Sequence, residues 1–202
     1  MPGPNEDLLD ATRHLVAYSW TSGVCSVYVD GEFDQRSTTN PGDMSNSAHL
    51  HIGAKGTGWN PWTGHMDEVR ISRTGRSSDW IKLCYNTQKS AADGYKDVVV
   101  MGAPGETAFT EDYGDWSDSA TVYLNTMPGG ADVAETVTDF PVLIRLNPAS
   151  GVDFTKIDDA GADIRFAKLD GTHLAYEIED WRHTSSTIDT AEIWVLVDSV
   201  FG

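Results

Sequence analysis

Between Gly161 and Trp181 two alternating runs flank a turn: Ile164, Phe166 and the stem of Lys168 share one parity, and Leu174, Tyr176 and Ile178 resume it after Asp170-Gly171. A period of two places alternate side chains on one face of an extended chain, and Asp-Gly tolerates the positive φ of a tight turn. The pattern predicts a β-hairpin. Residues 140–146 (Phe-Pro-Val-Leu-Ile-Arg-Leu) and 191–197 (Ala-Glu-Ile-Trp-Val-Leu-Val) are rich in β-branched and aromatic side chains, which predicts buried strands around that hairpin.

Nearer the N-terminus, residues 14–20 and 24–29 read as strands joined by Thr21-Ser22-Gly23, with a second turn at Asp30-Gly31. Residues 49–53 and 65–72 are expected as two more strands, separated by a Gly-rich loop over 54–64 that carries Trp59 and Trp62. Ser77-Ser78-Asp79 supplies an N-cap, and Trp80, Ile81, Cys84 and Tyr85 recur at helical spacing, so one short helix is expected over residues 78–88. Residues 90–111, enriched in Ala, Asp, Gly and Thr, read as a linker in which the apolar run 98–101 can add an edge strand. The sum is an all-β chain with a single helix.

Charge adds an asymmetry to this picture. Residues 106–202 carry 19 acidic and 5 basic side chains, whereas residues 1–105 carry 12 and 9, which predicts two modules. The net charge of -17, with no cluster of Lys or Arg, excludes nucleic acid as a partner and disfavours anionic membranes. No run approaches the length of a membrane span, so no membrane insertion is expected, and the first residues have no signal-peptide pattern. Two cysteines, Cys25 and Cys84, can pair or stay as buried thiols, and the count fixes no redox compartment.

Several segments carry a resemblance. Leu15-Val-Ala-Tyr18, Val27-Tyr-Val-Asp-Gly31, His51-Ile-Gly53, Gly64-His-Met-Asp-Glu-Val-Arg-Ile-Ser72 and Asp79-Trp-Ile-Lys-Leu83 resemble the second half of a laminin-G-like, concanavalin-type jelly roll, over residues 12–89. Asp115-Trp-Ser117, residues 140–146, Gly161-Ala-Asp-Ile-Arg-Phe166, Tyr176-Glu-Ile-Glu-Asp-Trp181 and Glu192-Ile-Trp-Val195 resemble the bacterial domain family of unknown function DUF2341, over residues 112–202. The resemblances imply a partial jelly roll followed by a second, sandwich-like β module. They further imply a modular segment of an extracellular or cell-surface bacterial protein, with neighbouring domains in a longer parent.

Candidate chemistry is sparse. Trp59 and Trp62, in Gly58-Trp-Asn-Pro-Trp-Thr-Gly64, are the best binding residues: two indoles on a Gly/Pro-stiffened loop can offer flat apolar faces to sugar rings, with Asn60 and Thr63 as hydrogen-bonding neighbours. The plain alternative is that both indoles cover the sheet. Asp67 stands in an apolar-patterned stretch, where a buried carboxylate must be paired, hydrogen-bonded or metal-bound. Jelly rolls of the resembled kind often hold calcium, which makes Asp67 the candidate metal residue, against a carboxylate satisfied by Arg70 or by turn amides. The spacing of His49, His51 and His65 is not diagnostic of a metal site, and Asp158, Asp159 and Asp163 read as a turn. Glu177 and Glu179 share a strand parity and form the one pair from which a glycan hydrolase could be built, but a solvated acidic face is the simpler reading. The expected function is therefore non-enzymatic binding or adhesion, with a glycan as the ligand class. A hydrolase and a structural spacer are the alternatives.

Overall fold

The computed structural model describes residues 8, 10–38, 49–54, 60–89, 98–104, 116–183 and 189–202. Its regular elements are β1 (Val16–Thr21), β2 (Val24–Val29), β3 (Glu32–Ser37), α1 (Ser78–Gln88), β4 (Val99–Pro104), β5 (Ala120–Leu124), β6 (Val137–Leu146), β7 (Tyr176–Arg182) and β8 (Thr190–Val200). The fold is all-β, as the alternation predicts: three antiparallel sheets, in the orders β1-β2-β3, β4-β5 and β6-β8-β7, with one helix.

The first sheet grows from two tight turns. Ser22 and Gly23 take φ of 50° and 82°, and Asp30 and Gly31 take 53° and 84°, so each two-residue link has the double positive φ that matches the strand twist. Gly31 has a second reason to be glycine. A Cβ there would lie 3.1 Å from Tyr85 and 3.2 Å from the Lys82 backbone, so this turn rests directly on α1. The strand β3, Glu-Phe-Asp-Gln-Arg-Ser, has too few apolar residues to announce itself.

The helix begins where its cap predicts: the Ser77 hydroxyl accepts from the Trp80 amide at 3.2 Å. Its buried side chains, Ile81, Leu83, Cys84, Asn86 and Thr87, face inward. Leu83 and Cys84 join one apolar cluster with Phe140, Val142, Ile144 and Leu146 of β6 and Ala191, Ile193, Val195 and Val200 of β8. Polar ties hold the same contact. The Asp79 carboxylate accepts from the Ala134 and Glu135 amides at 3.1 and 2.7 Å, Lys82 pairs with Asp132 at 2.8 Å, and Arg145 donates to the Thr87 and Gln88 carbonyls at 3.3 and 3.2 Å. The helix therefore touches the first sheet through Gly31 and the third through β6.

In the third sheet β8 is central and pairs Val142 with Val195 and Ile144 with Ile193 on one side, and Ile178 with Ile193 on the other. Period two then divides the sheet. Phe140, Val142, Ile144 and Leu146 share the inner face with Ile193 and Val195, while Leu143, Arg145, Glu192 and Trp194 share the outer one.

Three expectations are corrected. The predicted strands over 49–53 and 65–72 are irregular in the structure, without a ladder partner among the described residues. Gly53 at φ 75° and Glu68 at φ 51° bend them out of extended conformation, and a strand without a neighbour gains no ladder hydrogen bonds. The hairpin over 161–181 keeps its turn, with Gly171 at φ 86° and the Lys168 amide bonded to the Thr172 carbonyl at 2.9 Å, but its first arm contributes only the isolated bridge Ala167 to His173. Its second arm becomes β7 and pairs with β8 instead. The apolar run 98–101 does become a strand, β4, paired with β5. Cys25 and Cys84 are both buried and free, and burial pushes the Cys84 thiol up.

Candidate functional site

In the loop that carries the predicted binding residues, the Trp62 amide donates to the Gly53 carbonyl at 2.7 Å. Trp62 itself projects outward with 60% of its surface exposed. Its indole edge passes over Gly64, where a Cβ would sit 3.2 Å from Trp62 Nε1 and where the φ of 138° is one that other residues rarely adopt, so glycine suits this close approach. Asn60, in the left-handed region at φ 49°, and Thr63 are exposed beside it. The structure thus brings Asn60, Trp62 and Thr63 together on one exposed turn. Trp59 lies outside the described residues.

Asp67 is not in a buried strand. It is exposed, and its Oδ1 accepts the Glu68 amide at 3.0 Å, so a turn amide satisfies the carboxylate. Arg70 pairs with Glu68 at 2.8 Å and lays its guanidinium 4.2 Å from the centre of the Trp194 ring. Among the described residues no group of three His, Cys, Asp or Glu side chains is arranged to hold a metal ion. His49, His51 and His65 are all exposed.

Glu177 and Glu179 are both exposed on β7, but a register irregularity between Ile178 and Asp180 disturbs simple alternation. Glu179 accepts the Trp194 indole N–H at 2.5 Å, and Glu177 stands opposite Trp194 in the ladder. An acceptor engaged by an indole is a poor start for nucleophilic attack. Trp181, in the next position of the same parity, packs on Phe154 with ring centres 5.3 Å apart, and its six-membered ring closes over Gly161.

One site went unread in the sequence. Between β4-β5 and the inner face of β6-β8 lies a cavity of about 860 Å³, walled by Met101, Val122, Val142, Val195, Phe166 and Leu174. At its margin Lys156 pairs with Asp118 at 2.9 Å, and the Arg165 guanidinium lies 5.8 Å from the centre of the Trp116 ring. The only local signal was Trp116 close to Asp118. The rest depends on pairing between strands far apart in sequence.

Residues 5–82 match the family model described as the concanavalin A-like lectin/glucanases superfamily. That stretch includes β1 to β3, the Trp62 loop and the first turn of α1. The resemblance of residues 112–202 to DUF2341 has no counterpart in this match. No curated protein matches the chain. Among solved structures the chain is similar to residues 221–444 of an S-layer domain-containing protein from Clostridium thermocellum ATCC 27405, with 19% identity and a TM-score of 0.36. That similarity covers 41% of this chain and 43% of the other.

Proposed function

We propose that this chain is a non-enzymatic binding segment of a secreted or surface bacterial protein, that its ligand is a glycan, and that Trp62, flanked by Asn60 and Thr63, is the contact. The observation that carries the reading is the exposed Trp62 indole, held on a turn by the Gly53 carbonyl and given room by Gly64. A flat aromatic face with polar neighbours suits the apolar face and hydroxyl edge of a sugar ring. The match of residues 5–82 to a superfamily of lectins and glucanases supports the same ligand class. In this reading residues 12–89 are a partial jelly roll and residues 112–202 a DUF2341-like module within a longer parent.

Affinity electrophoresis of the chain against a panel of soluble polysaccharides tests the proposal. At least one should retard the protein, and Trp62→Ala should weaken that interaction by about 1 to 2 kcal/mol while leaving the melting temperature in place. Absence of any retardation, or a Trp62→Ala variant that loses stability with unchanged glycan affinity, contradicts it.

A further inference from the structure

We propose that the cavity between β4-β5 and the inner face of β6-β8 is a second binding site, independent of the Trp62 loop, and that it takes a single-chain amphiphile: an aliphatic body ending in a carboxylate. Three features converge on that chemistry.

The first is size. About 860 Å³ falls within the range of small-molecule sites, roughly 300 to 1,000 Å³, and far exceeds the voids left by imperfect packing in a domain core. The second is the wall. Val142 and Val195 are paired across β6 and β8, and Met101, Val122, Phe166 and Leu174 face them from other elements, so the body of the space is aliphatic with one aromatic side. Water in such a volume finds few hydrogen-bond partners, and an apolar chain displaces it favourably.

The third feature is the margin. Arg165 is one of three cations there; Lys156 is already paired with Asp118 at 2.9 Å and Lys168 with Asp198 at 2.7 Å. Arg165 has no carboxylate partner among the described residues. Among the described residues its hydrogen bonds all leave from Nη1: to the Ala162 carbonyl at 3.0 Å, the Ile164 carbonyl at 2.6 Å and the Tyr176 hydroxyl at 3.2 Å. These bonds anchor one nitrogen of the fork to the backbone and leave Nε and Nη2 for an incoming anion. A planar guanidinium with two donors in one plane is suited to a carboxylate, and Trp116 beside it would flank the first methylenes of the chain. A cation at the rim of an apolar space, in a chain of net charge -17, selects an anionic head at one point only. A polyanion would be repelled by Asp118, Asp153 and Asp163 around it.

The test uses the full chain and dodecanoate below its micellar concentration, with dodecanol and acetate as the body alone and the head alone. Dodecanoate should raise the melting temperature progressively with concentration, acetate should do nothing, and dodecanol should bind about tenfold more weakly, the value of one charge-assisted contact. Arg165→Gln, at an exposed position, should bring dodecanoate down to the affinity of dodecanol and leave dodecanol unchanged. Val122→Phe, which grows into the cavity, should abolish binding of both without lowering the melting temperature. The proposal is overturned if dodecanoate gives no shift, if Arg165→Gln binds it as tightly as the parent, or if Val122→Phe folds and binds unimpaired. A soluble polysaccharide that displaces dodecanoate would also overturn it, since the cavity would then belong to the glycan site.

Discussion

Residues 65–72 end on an alternating apolar pair, Val69 and Ile71, and residues 137–146 carry a longer alternation, Phe140, Val142, Ile144 and Leu146, and the chain uses the two in opposite ways. In β6 the pattern meets β8, and Phe140, Val142 and Ile144 are buried. In 65–72 no strand lies alongside among the described residues, and Ile71 is 73% exposed. Alternation states which side chains would share a face. Burial requires a neighbour that completes the ladder and a layer that covers the face.

The most severe way to break this comparison is to truncate one apolar side chain on each side of it. Phe140→Ala takes a fully buried ring that packs on Trp80 at 5.4 Å, and should cost about 3 to 5 kcal/mol in denaturant unfolding. Ile71→Ala should cost less than about 0.5 kcal/mol, because almost nothing is uncovered. Similar losses at the two positions would mean that 65–72 is packed in solution.

A smaller effect sharpens the place of the helix. Asp79→Ala removes the acceptor for the Ala134 and Glu135 amides and should cost about 1 to 2 kcal/mol, with the unfolding transition remaining single. A second transition appearing in Asp79→Ala, or no loss at all, would separate α1 from the β6 layer.

The smallest expected effect is pH-dependent and belongs to the first sheet. His14 bridges Asp30 at 2.8 Å and Asp10 at 3.0 Å, with the Thr12 hydroxyl also on its ring. The bond to Asp30, then that to Asp10, raises the imidazole above its ordinary 6.5. The Thr12 amide and hydroxyl, with His14, hold Asp10 down to about 2, so it stays ionised throughout. The folded chain then binds the proton more tightly than the unfolded one. The contribution of His14 is full below pH 6.5 and fades as pH rises through the higher folded value. His14→Gln should therefore lower the melting temperature slightly at pH 5.5 and leave it unchanged at pH 8.5. A loss larger at pH 8.5 would reverse the assignment.

What the sequence disclosed follows from how local each signal is. The helix was legible because Ser77 and the spacing of Ile81 and Cys84 lie within a few residues of one another. The turns at Ser22-Gly23 and Asp30-Gly31 were legible for the same reason. The strand β3 was not, since Glu32 to Ser37 is polar and is recruited by pairing with β2. The exposure of Asn60, Trp62 and Thr63 depends on how the indole lies over Gly64, and the grouping of Arg165 with Trp116 depends on how β4-β5 and β6-β8 face each other. Neither can be read from spacing.

The central claim is that α1, β6 and β8 form one cooperative core to which residues 60–72 do not belong, and native-state amide hydrogen exchange tests it directly. Amides of α1, β6 and β8 should exchange through a common opening with the free energy of global unfolding, while amides of residues 65–72 exchange at nearly unprotected rates. Protection of 65–72 equal to that of β8, or an α1 that opens independently of β6, would contradict the account.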